Sequence, residues 1–469
     1  AWAGIINVFV KQYDADGNSI GVSSFAVRKG SPGLRQGPEA LTMGMRAMVQ
    51  NTVFLDNVSV DSSQLLGEPG AGMEVAQDAM MYGRLAIAAA SVGGMKRCAQ
   101  LMLCYSSRRS ISTGTLLSNP VTLTRLNWLT NAIATLHGLV TFIAQRLDQD
   151  LPVPEELYAA CKILGPELYW QAADNLVQCL GGRGYIETNI APQILRDARV
   201  LRIFEGPTES LAMYLGARVL NQSAPLRDFL TDLQLPPLAD ALFKATDEIL
   251  AYYQSSQSPF SDEVIARQQA NFVAGQATAW GLAIAALKSL PAESGQVTSS
   301  NIEWAQHCFD QTVAQMANAN QASTATALKE QISHYNNSIG ELEQTLPGAD
   351  EQLDGWLRAD SPEQPILKQP EDLLSGIYQA TSDILSKPLL KQKKVIEQWL
   401  IQWLAQRLRT ASAQIDLNKA LADYGVDSVM AVELAQNLED FLTLSRPLDV
   451  TLAWTFPTIA ALSKHLAEL

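Results

Sequence analysis

The spacing of apolar residues changes near Gly72 in this 469-residue chain. Upstream of it, the short apolar runs Ile5–Val10 and Val22–Val27 flank Asp14–Asn18, which predicts two β-strands joined by a hairpin turn. Downstream, long segments rich in Ala and Leu, such as Glu155–Leu180, predict α-helices that pack on one another. We therefore expect a mainly α fold with a small β region at its start.

Prolines and acidic residues replace the helical pattern between residues 346 and 387, a composition typical of a tether between domains. We accordingly predict five parts: a partial β domain (1–70), a helical bundle (71–222), a helical extension (223–345), a linker (346–387) and a small four-helix bundle (388–469). The strands are too few to close a sheet, and the chain begins at Ala1 without Met. We therefore expect the β region to be the second half of a larger domain.

Charge and composition argue against several classes of protein. The formal net charge is -14 and Lys and Arg do not cluster, which argues against a nucleic-acid partner. No apolar run approaches the roughly 18 residues that span a bilayer, and the start does not resemble a signal peptide. The five cysteines stand singly, without metal-ligand spacing. We expect reduced thiols in a cytoplasmic protein that has no membrane span and no metal site.

An Asp-Ser pair opens an apolar helical repeat within Asp423–Leu434. Taken alone, Asp427 or Ser428 is a common helix N-cap. The wider segment resembles the phosphopantetheine-attachment signature of acyl and peptidyl carrier proteins. The resemblance covers about Pro388 to the end, and Leu452–Ile459 is similar to the turn before the last helix in carrier domains of polyketide and lipopeptide assembly lines.

In that family the serine carries a 4′-phosphopantetheine arm, so the resemblance implies that Ser428 is the attachment point. It also implies three partners: a phosphopantetheinyl transferase, an upstream acyl-activating enzyme and a downstream condensing enzyme. Acidic residues around the motif suit docking to basic surfaces of such partners.

Three further segments lie in the helical bundle: Gln178–Tyr185, Leu195–Arg199 and Arg202–Glu209. Gly-rich turns after a helix let backbone amides approach a phosphate closely, although glycines end helices in many proteins. The three segments in this order resemble the acyl-CoA dehydrogenase family, and upstream segments such as Met43–Arg46 continue the pattern. The resemblance spans residues 1–222 and implies the family's FAD cofactor and its dimers or tetramers.

The resemblance assigns the role of catalytic base to Glu205, the glutamate of the Glu-Gly segment. An ordinary glutamate near a helix N-terminus is the alternative reading. Removal of an α-proton beside a thioester needs a stronger base than an exposed carboxylate, and desolvation beside a flavin and an acyl chain provides this strength. Hydride then passes from the β-carbon to the flavin, which gives a trans-2-enoyl thioester.

Other family positions imply contacts with the cofactor and the substrate: Gln178, Gly181 and Gly182 with the FAD of a neighbouring subunit, Thr208 and Glu209 with the adenosine end, Arg109 with the pyrophosphate, and Arg84 with the substrate. Arg109 departs from the family pattern because no Phe-Gly pair follows it. A solvated arginine at a helix end is the alternative for that residue.

Met81 is a second departure, since many family members have an Asp there that contacts the pantetheine of CoA. The absence of this Asp favours a substrate that is tethered to a carrier. Tethering also raises the effective substrate concentration. The sequence thus predicts FAD-dependent α,β-dehydrogenation of a fatty acyl thioester on a phosphopantetheine arm, within a polyketide- or lipopeptide-type biosynthetic enzyme. An electron-transfer flavoprotein is the candidate acceptor. Two alternatives stay open: an inactive scaffold that presents the carrier, and a flavin oxidase or monooxygenase of the same fold.

Overall fold

The structure, a computed structural model, describes residues 3–258, 260, 263–291, 298–318, 389–407, 411–424, 426, 428–442, 448 and 452–468. The predicted linker (346–387) and the last part of the predicted extension (319–345) lie outside the described residues. Within them, helices dominate and strands occur mainly before Gly72, as the sequence predicts.

Small antiparallel sheets form the β region, whose strands are β1 (Ile5–Tyr13), β2 (Ser19–Arg28), β3 (Leu34–Ala40), β4 (Gln50–Leu55) and β5 (Leu65–Leu66). One sheet has the order β1-β2-β5, and the other pairs β3 with β4. The predicted hairpin turn is confirmed: the Asp14 carboxylate accepts a hydrogen bond of 2.8 Å from the Asn18 backbone N–H. Strand β3 was not predicted, because Gly37 and Pro38 interrupt it and its pairing shifts register there.

The helical bundle follows as α1 (Gly72–Arg108), a short hairpin of β6 (Ser110–Ile111) and β7 (Gly114–Thr115), α2 (Pro120–Asp148), α3 (Glu155–Leu180), α4 (Ile190–Leu201) and α5 (Thr208–Asn221). Helix α3 begins directly after Pro154 and ends before Gly181, as predicted. Helices α1 and α3 pack closely, since a Cβ on Gly165 would lie only 3.1 Å from the Cα of Ala88. This pair forms the frame on which the candidate site is built.

The extension adds α6 (Ser223–Asp232), α7 (Pro236–Gln254), α8 (Glu263–Ser289) and α9 (Ser299–Asn318). The predicted apolar face of α7 is confirmed, because Leu238, Leu242, Ile249 and Tyr253 are all buried. Helix α8 runs against α5, and a Cβ on Gly275 would lie 1.8 Å from the carbonyl oxygen of Ala212. Bundle and extension therefore share one hydrophobic core.

Helix α8 is the one helix among the described residues that is long and apolar enough to cross a membrane. This stretch was not predicted from the sequence. In the fold, 83% of its apolar window is buried against other helices. A mostly buried core helix can be as long and as apolar as a membrane span, and α8 has the burial of such a core helix.

The C-terminal bundle contains α10 (Leu389–Arg407), α11 (Ser428–Leu442), α12 (Leu452–Thr455) and α13 (Ile459–Glu468). The predicted helices near Ile396, Ser428 and Pro457 are thereby confirmed. Apolar residues of all four helices, such as Leu404 and Leu434, form a second core separate from that of the bundle. This arrangement is a small four-helix domain.

Candidate active site

Glu205 lies in the short loop between α4 and α5. Its backbone has a positive φ of 57°, and the following Gly206 has a φ of 95°. A left-handed backbone costs a non-glycine residue roughly 1–2 kcal/mol, and strain of this kind is concentrated at functional sites. A hydrogen bond of 3.2 Å from the Thr208 N–H to the Arg202 carbonyl closes the loop.

The Glu205 carboxylate lies against α1 at Gly83. A Cβ on Gly83 would be 3.3 Å from Glu205 Oε2, which is closer than most such contacts in proteins. The glycine therefore leaves space for the carboxylate beside the helix. The loop and α1 together hold Glu205 at the junction of three helices.

Arg84, the next residue of α1, is buried with 3% of its surface exposed. Its Nη1 lies 3.8 Å from Glu155 Oε1 at the start of α3. Arg218 of α5 bonds at 2.9 Å to the neighbouring Glu156. These ion pairs connect α1, α3 and α5 around the base of the site, so Arg84 lies in the same region as Glu205.

Two buried polar atoms near Glu205, Arg84 Nε and Thr208 Oγ1, have no hydrogen-bond partner among the described residues. Buried polar groups are normally paired, so these atoms fit a polar group that a ligand would supply. Thr208 is also the first residue of α5, whose N-terminus lacks a side-chain cap. Uncapped N–H groups there suit an anionic group. This half of the site fits the flavin nucleotide and thioester that the sequence predicts.

Gln178, Gly181 and Gly182 lie at the C-terminal end of α3 and are exposed. Gly181 has a φ of 58°, and a Cβ on either glycine would meet no described atom within 4 Å. At 1.5 Å per helical residue, Gly181 lies roughly 28 Å along α3 from Lys162, which contacts the Glu205 loop. These residues therefore lie far from Glu205 of their own chain.

Arg109 caps the far end of α1 and is exposed. The helix rise places it roughly 39 Å from Gly83. The Glu205 side and the Arg109–Gly181 side thus lie at opposite ends of the α1–α3 pair, further apart than one extended dinucleotide reaches. Within a single chain the structure brings together Glu205, Arg84, Thr208 and Glu209, and it does not bring Arg109 or Gln178 to them.

Lys162 of α3 is the residue of this site that the sequence analysis missed. Its side chain is 0% exposed, and its Nζ donates a hydrogen bond of 3.0 Å to the Gly206 carbonyl. Burial lowers the pKa of Lys162 to about 8, and the nearby Arg84 acts in the same direction. The available signal was a single lysine inside the apolar run of α3 from Tyr158 to Leu164.

Ser428 is the first residue of α11, at the helix start where the sequence predicts it. Just before it, a 3-10 turn over Leu421–Tyr424 packs into the core of the small domain. The Tyr424 hydroxyl accepts a hydrogen bond from the Asp416 backbone N–H at 2.5 Å. This turn anchors the loop that leads to Ser428.

The small domain contacts the rest of the protein at the end of α5. Lys419 Nζ donates a hydrogen bond of 2.9 Å to Asn221 Oδ1, and Asn221 is the last residue of α5. Arg267 of α8 donates to the same oxygen, also at 2.9 Å. A second contact pairs Lys11 of β1 with Glu439 of α11 at 3.6 Å. An open cavity of about 960 Å³ lies beside Asn221 at this junction.

Comparisons with known proteins agree with this architecture. Residues 70–220 match the family model described as "Acyl-CoA dehydrogenase, C-terminal domain", and residues 398–466 match "Phosphopantetheine attachment site". Residues 70–220 are thus similar to the C-terminal domain of acyl-CoA dehydrogenases, and residues 398–466 are similar to a phosphopantetheine-attachment domain. The family uses FAD, and the carrier domain implies 4′-phosphopantetheine.

Individual relatives match over part of their length. The very long-chain specific acyl-CoA dehydrogenase of Homo sapiens is 29% identical over 200 residues, which is 41% of this chain and 30% of that protein. A probable acyl-CoA dehydrogenase of Bacillus subtilis is 28% identical over 43% of this chain and 37% of its own length. The chain thus spans about a third of these relatives.

A crystal structure of an acyl-CoA dehydrogenase complexed with FAD from Bacillus anthracis matches with a TM-score of 0.55. Its sequence identity is 19%, and the match covers 72% of this chain and 64% of that one. At this identity the match supports the fold alone. Its coverage extends beyond residues 1–222.

Proposed function

We propose that the protein catalyses α,β-dehydrogenation of a fatty acyl thioester carried on the phosphopantetheine arm of Ser428. The observation that carries this proposal is the position of α5. This helix begins three residues after Glu205, and its last residue, Asn221, bonds to Lys419 of the carrier domain. One helix of 14 residues, roughly 21 Å long, thus joins the candidate base to the carrier.

Each residue of the site has a part in the proposed reaction. Glu205 accepts the α-proton of the acyl chain, and the space at Gly83 orients its carboxylate. Arg84 and Thr208 offer buried polar atoms to the cofactor and the thioester. When bound, FAD supplies the acceptor for the hydride that leaves the β-carbon.

Met81 supports a carrier-bound rather than a CoA-bound substrate. It packs against the apolar core of the bundle, where an acidic residue would be needed for the pantetheine contact expected in the family. A tethered substrate needs no pocket for the CoA nucleotide and reaches the site at high effective concentration. In a biosynthetic setting, a phosphopantetheinyl transferase, an acyl-activating enzyme and a condensing enzyme complete the pathway in the cytoplasm.

The exposed residues at the far end of the α1–α3 pair support self-association. Gln178, Gly181 and Arg109 lie too far from Glu205 of their own chain to share its flavin. We infer that each complete flavin site takes Glu205 and Thr208 from one copy and Gln178, Gly181, Gly182 and Arg109 from a second.

The test uses the full-length, FAD-loaded protein with Ser428 loaded with a series of saturated acyl-phosphopantetheines. Flavin bleaching is followed without oxygen, and the intact mass of the carrier is measured in parallel. Bleaching with loss of two hydrogens from the acyl chain is expected, and Ser428→Ala must abolish both signals. Flavin that stays oxidised with every chain length would favour the scaffold, and peroxide formation on admission of oxygen would favour an oxidase.

A further inference from the structure

Lys162 is a buried cation that the reaction described above does not use. It is one of the largest fully buried side chains among the described residues. Lysine is almost never buried without a partner, because a charged ammonium loses its hydration there. The partner here is a backbone carbonyl, that of Gly206, at 3.0 Å from Nζ. This carbonyl belongs to the residue directly after Glu205.

The charged groups that act on Lys162 come from two helices, from α3 itself and from the Glu205 loop. They are Arg84 on α1, Glu167 on α3, Glu205 in the loop and Glu209 on α5. Burial and Arg84 lower the pKa of Lys162, whereas the three carboxylates raise it. The charge at Lys162 is therefore coupled to the charge at Glu205, which is half-buried beside it.

The backbone that Lys162 contacts is strained. Glu205 and Gly206 both have positive φ values, 57° and 95°. Such a conformation persists only when the surroundings determine it. A backbone bond across this loop, from the Thr208 N–H to the Arg202 carbonyl, fixes its ends. Within the loop, the carbonyl of the Gly206–Pro207 peptide accepts the hydrogen bond from Lys162.

We propose that Lys162 is a positioning residue for Glu205: its buried Nζ holds the Gly206 carbonyl and thereby fixes the left-handed backbone that presents the Glu205 carboxylate at Gly83. The proposal rests on the proposed function in taking Glu205 as the base. It adds that loss of the Lys162 contact displaces the Glu205 carboxylate from its position at Gly83, although the carboxylate itself is still present.

The first test measures abstraction of the α-proton separately from hydride transfer. 3,3-Dimethylbutanoyl-pantetheine has α-hydrogens but no β-hydrogen, so it can exchange α-protons with D₂O but cannot transfer hydride. We expect Lys162→Met to lower the maximal exchange rate of the full-length holoprotein about 30-fold with little change in KM, because misplacement of a base costs rate rather than binding. Lys162→Arg should restore most of the rate, and Lys244→Met, an exposed lysine on α7, should exchange like wild type. Equal exchange in wild type and Lys162→Met would overturn the proposal.

The second test needs no turnover and separates this proposal from the proposed function. The Nζ of ¹⁵N-labelled lysine is titrated by NMR in wild type and in Glu205→Gln. A Lys162 midpoint near 8 is expected in wild type, with a lower midpoint in Glu205→Gln, because the carboxylate charge that supports the ammonium is gone. A midpoint that Glu205→Gln leaves unchanged would overturn the proposal even if the protein dehydrogenates its substrate. A midpoint that shifts in a protein without exchange activity would support the contact while refuting the proposed function.

Discussion

Lys419 of the carrier domain and Asn221 at the end of α5 are joined by a hydrogen bond of 2.9 Å. Asn221 also accepts from Arg267 of α8, so the contact is fixed on the side of the helical bundle. On the carrier side, the Lys419 ammonium lies 4.7 Å from the centre of the Tyr424 ring, which orients it. The bond therefore connects two ordered surfaces.

Lys419→Met should slow dehydrogenation of a substrate on Ser428 and leave the rate with free acyl-pantetheine unchanged. We expect about a fivefold effect, since a single hydrogen bond contributes about 1 kcal/mol. Single-turnover flavin bleaching with both substrates measures this difference. The matched control is Lys464→Met, an exposed lysine on α13. An equal loss with both substrates would show that Lys419 does not act through docking.

Two neighbouring glycines of α1 should respond in opposite ways to alanine. A Cβ on Gly93 meets nothing within 4 Å, whereas a Cβ on Gly94 would lie 2.3 Å from the Tyr169 ring. Gly93→Ala should stabilise the protein by about 1 kcal/mol through helix propensity. Gly94→Ala should destabilise it by roughly 1–3 kcal/mol through overpacking. Thermal unfolding of both variants checks the packing of α1 on α3, and equal shifts in Tm would contradict it.

Prolines and glycines at the ends of helices account for much of the fold that could be predicted from the sequence. Pro154 and Gly181 mark the two ends of α3, and both ends were predicted correctly. Strand β3 was missed because the Gly37-Pro38 pair, normally a breaker, is accommodated by a register shift. Preferences of single residues and their neighbours do not predict that strand pairing accommodates a Gly-Pro pair in this way.

Contacts between distant segments could not be read from the sequence in the same way. The Met45 backbone N–H donates a hydrogen bond of 2.6 Å to Asp197, 152 residues further along the chain. Both residues belong to segments that the family resemblance identified, but their contact follows only from the packing of the β region on α4. Lys162 was missed for the same reason, since nothing within α3 indicates that a carbonyl of another loop lies beside it.

Exposed apolar residues surround the Gly181–Gly182 turn, where a second copy is expected to bind. Tyr185 is 85% exposed, and Ile186 is 54% exposed. Tyr185→Lys should shift the protein toward monomers in sedimentation velocity and should lower FAD retention in parallel. Val395→Lys, at an apolar residue of α10 that is also exposed, is the matched control. Monomeric protein that retains FAD would show that one copy completes the site.

The stability of the protein should depend on pH through Lys162. Its pKa is about 8 in the folded state and 10.5 ordinarily, so the unfolded chain binds more protons between these values and stability rises with pH across this window. Relative to Lys162→Met, the wild type should gain about 3 kcal/mol between pH 7 and pH 11.

The comparison with Lys162→Met is needed because buried thiols titrate in the same range. Burial raises the pKa of Cys98 to about 12 and that of Cys308 to about 11. These groups lower stability above about pH 9, where the unfolded thiols ionise, and they do so equally in both variants. Denaturant unfolding at a series of pH values gives the difference. A difference that does not change with pH would mean that the Lys162 ammonium is not desolvated.

The central claim is that Glu205 removes the α-proton of an acyl chain held on Ser428. The most direct measurement is the intact mass of the acyl-loaded carrier after one anaerobic turnover in wild type, Glu205→Gln and the surface control Glu248→Gln. We expect a loss of two hydrogens in wild type and Glu248→Gln, and an unchanged acyl mass in Glu205→Gln with FAD still bound. Loss of two hydrogens in Glu205→Gln at the wild-type rate would contradict the claim and assign the base to another residue.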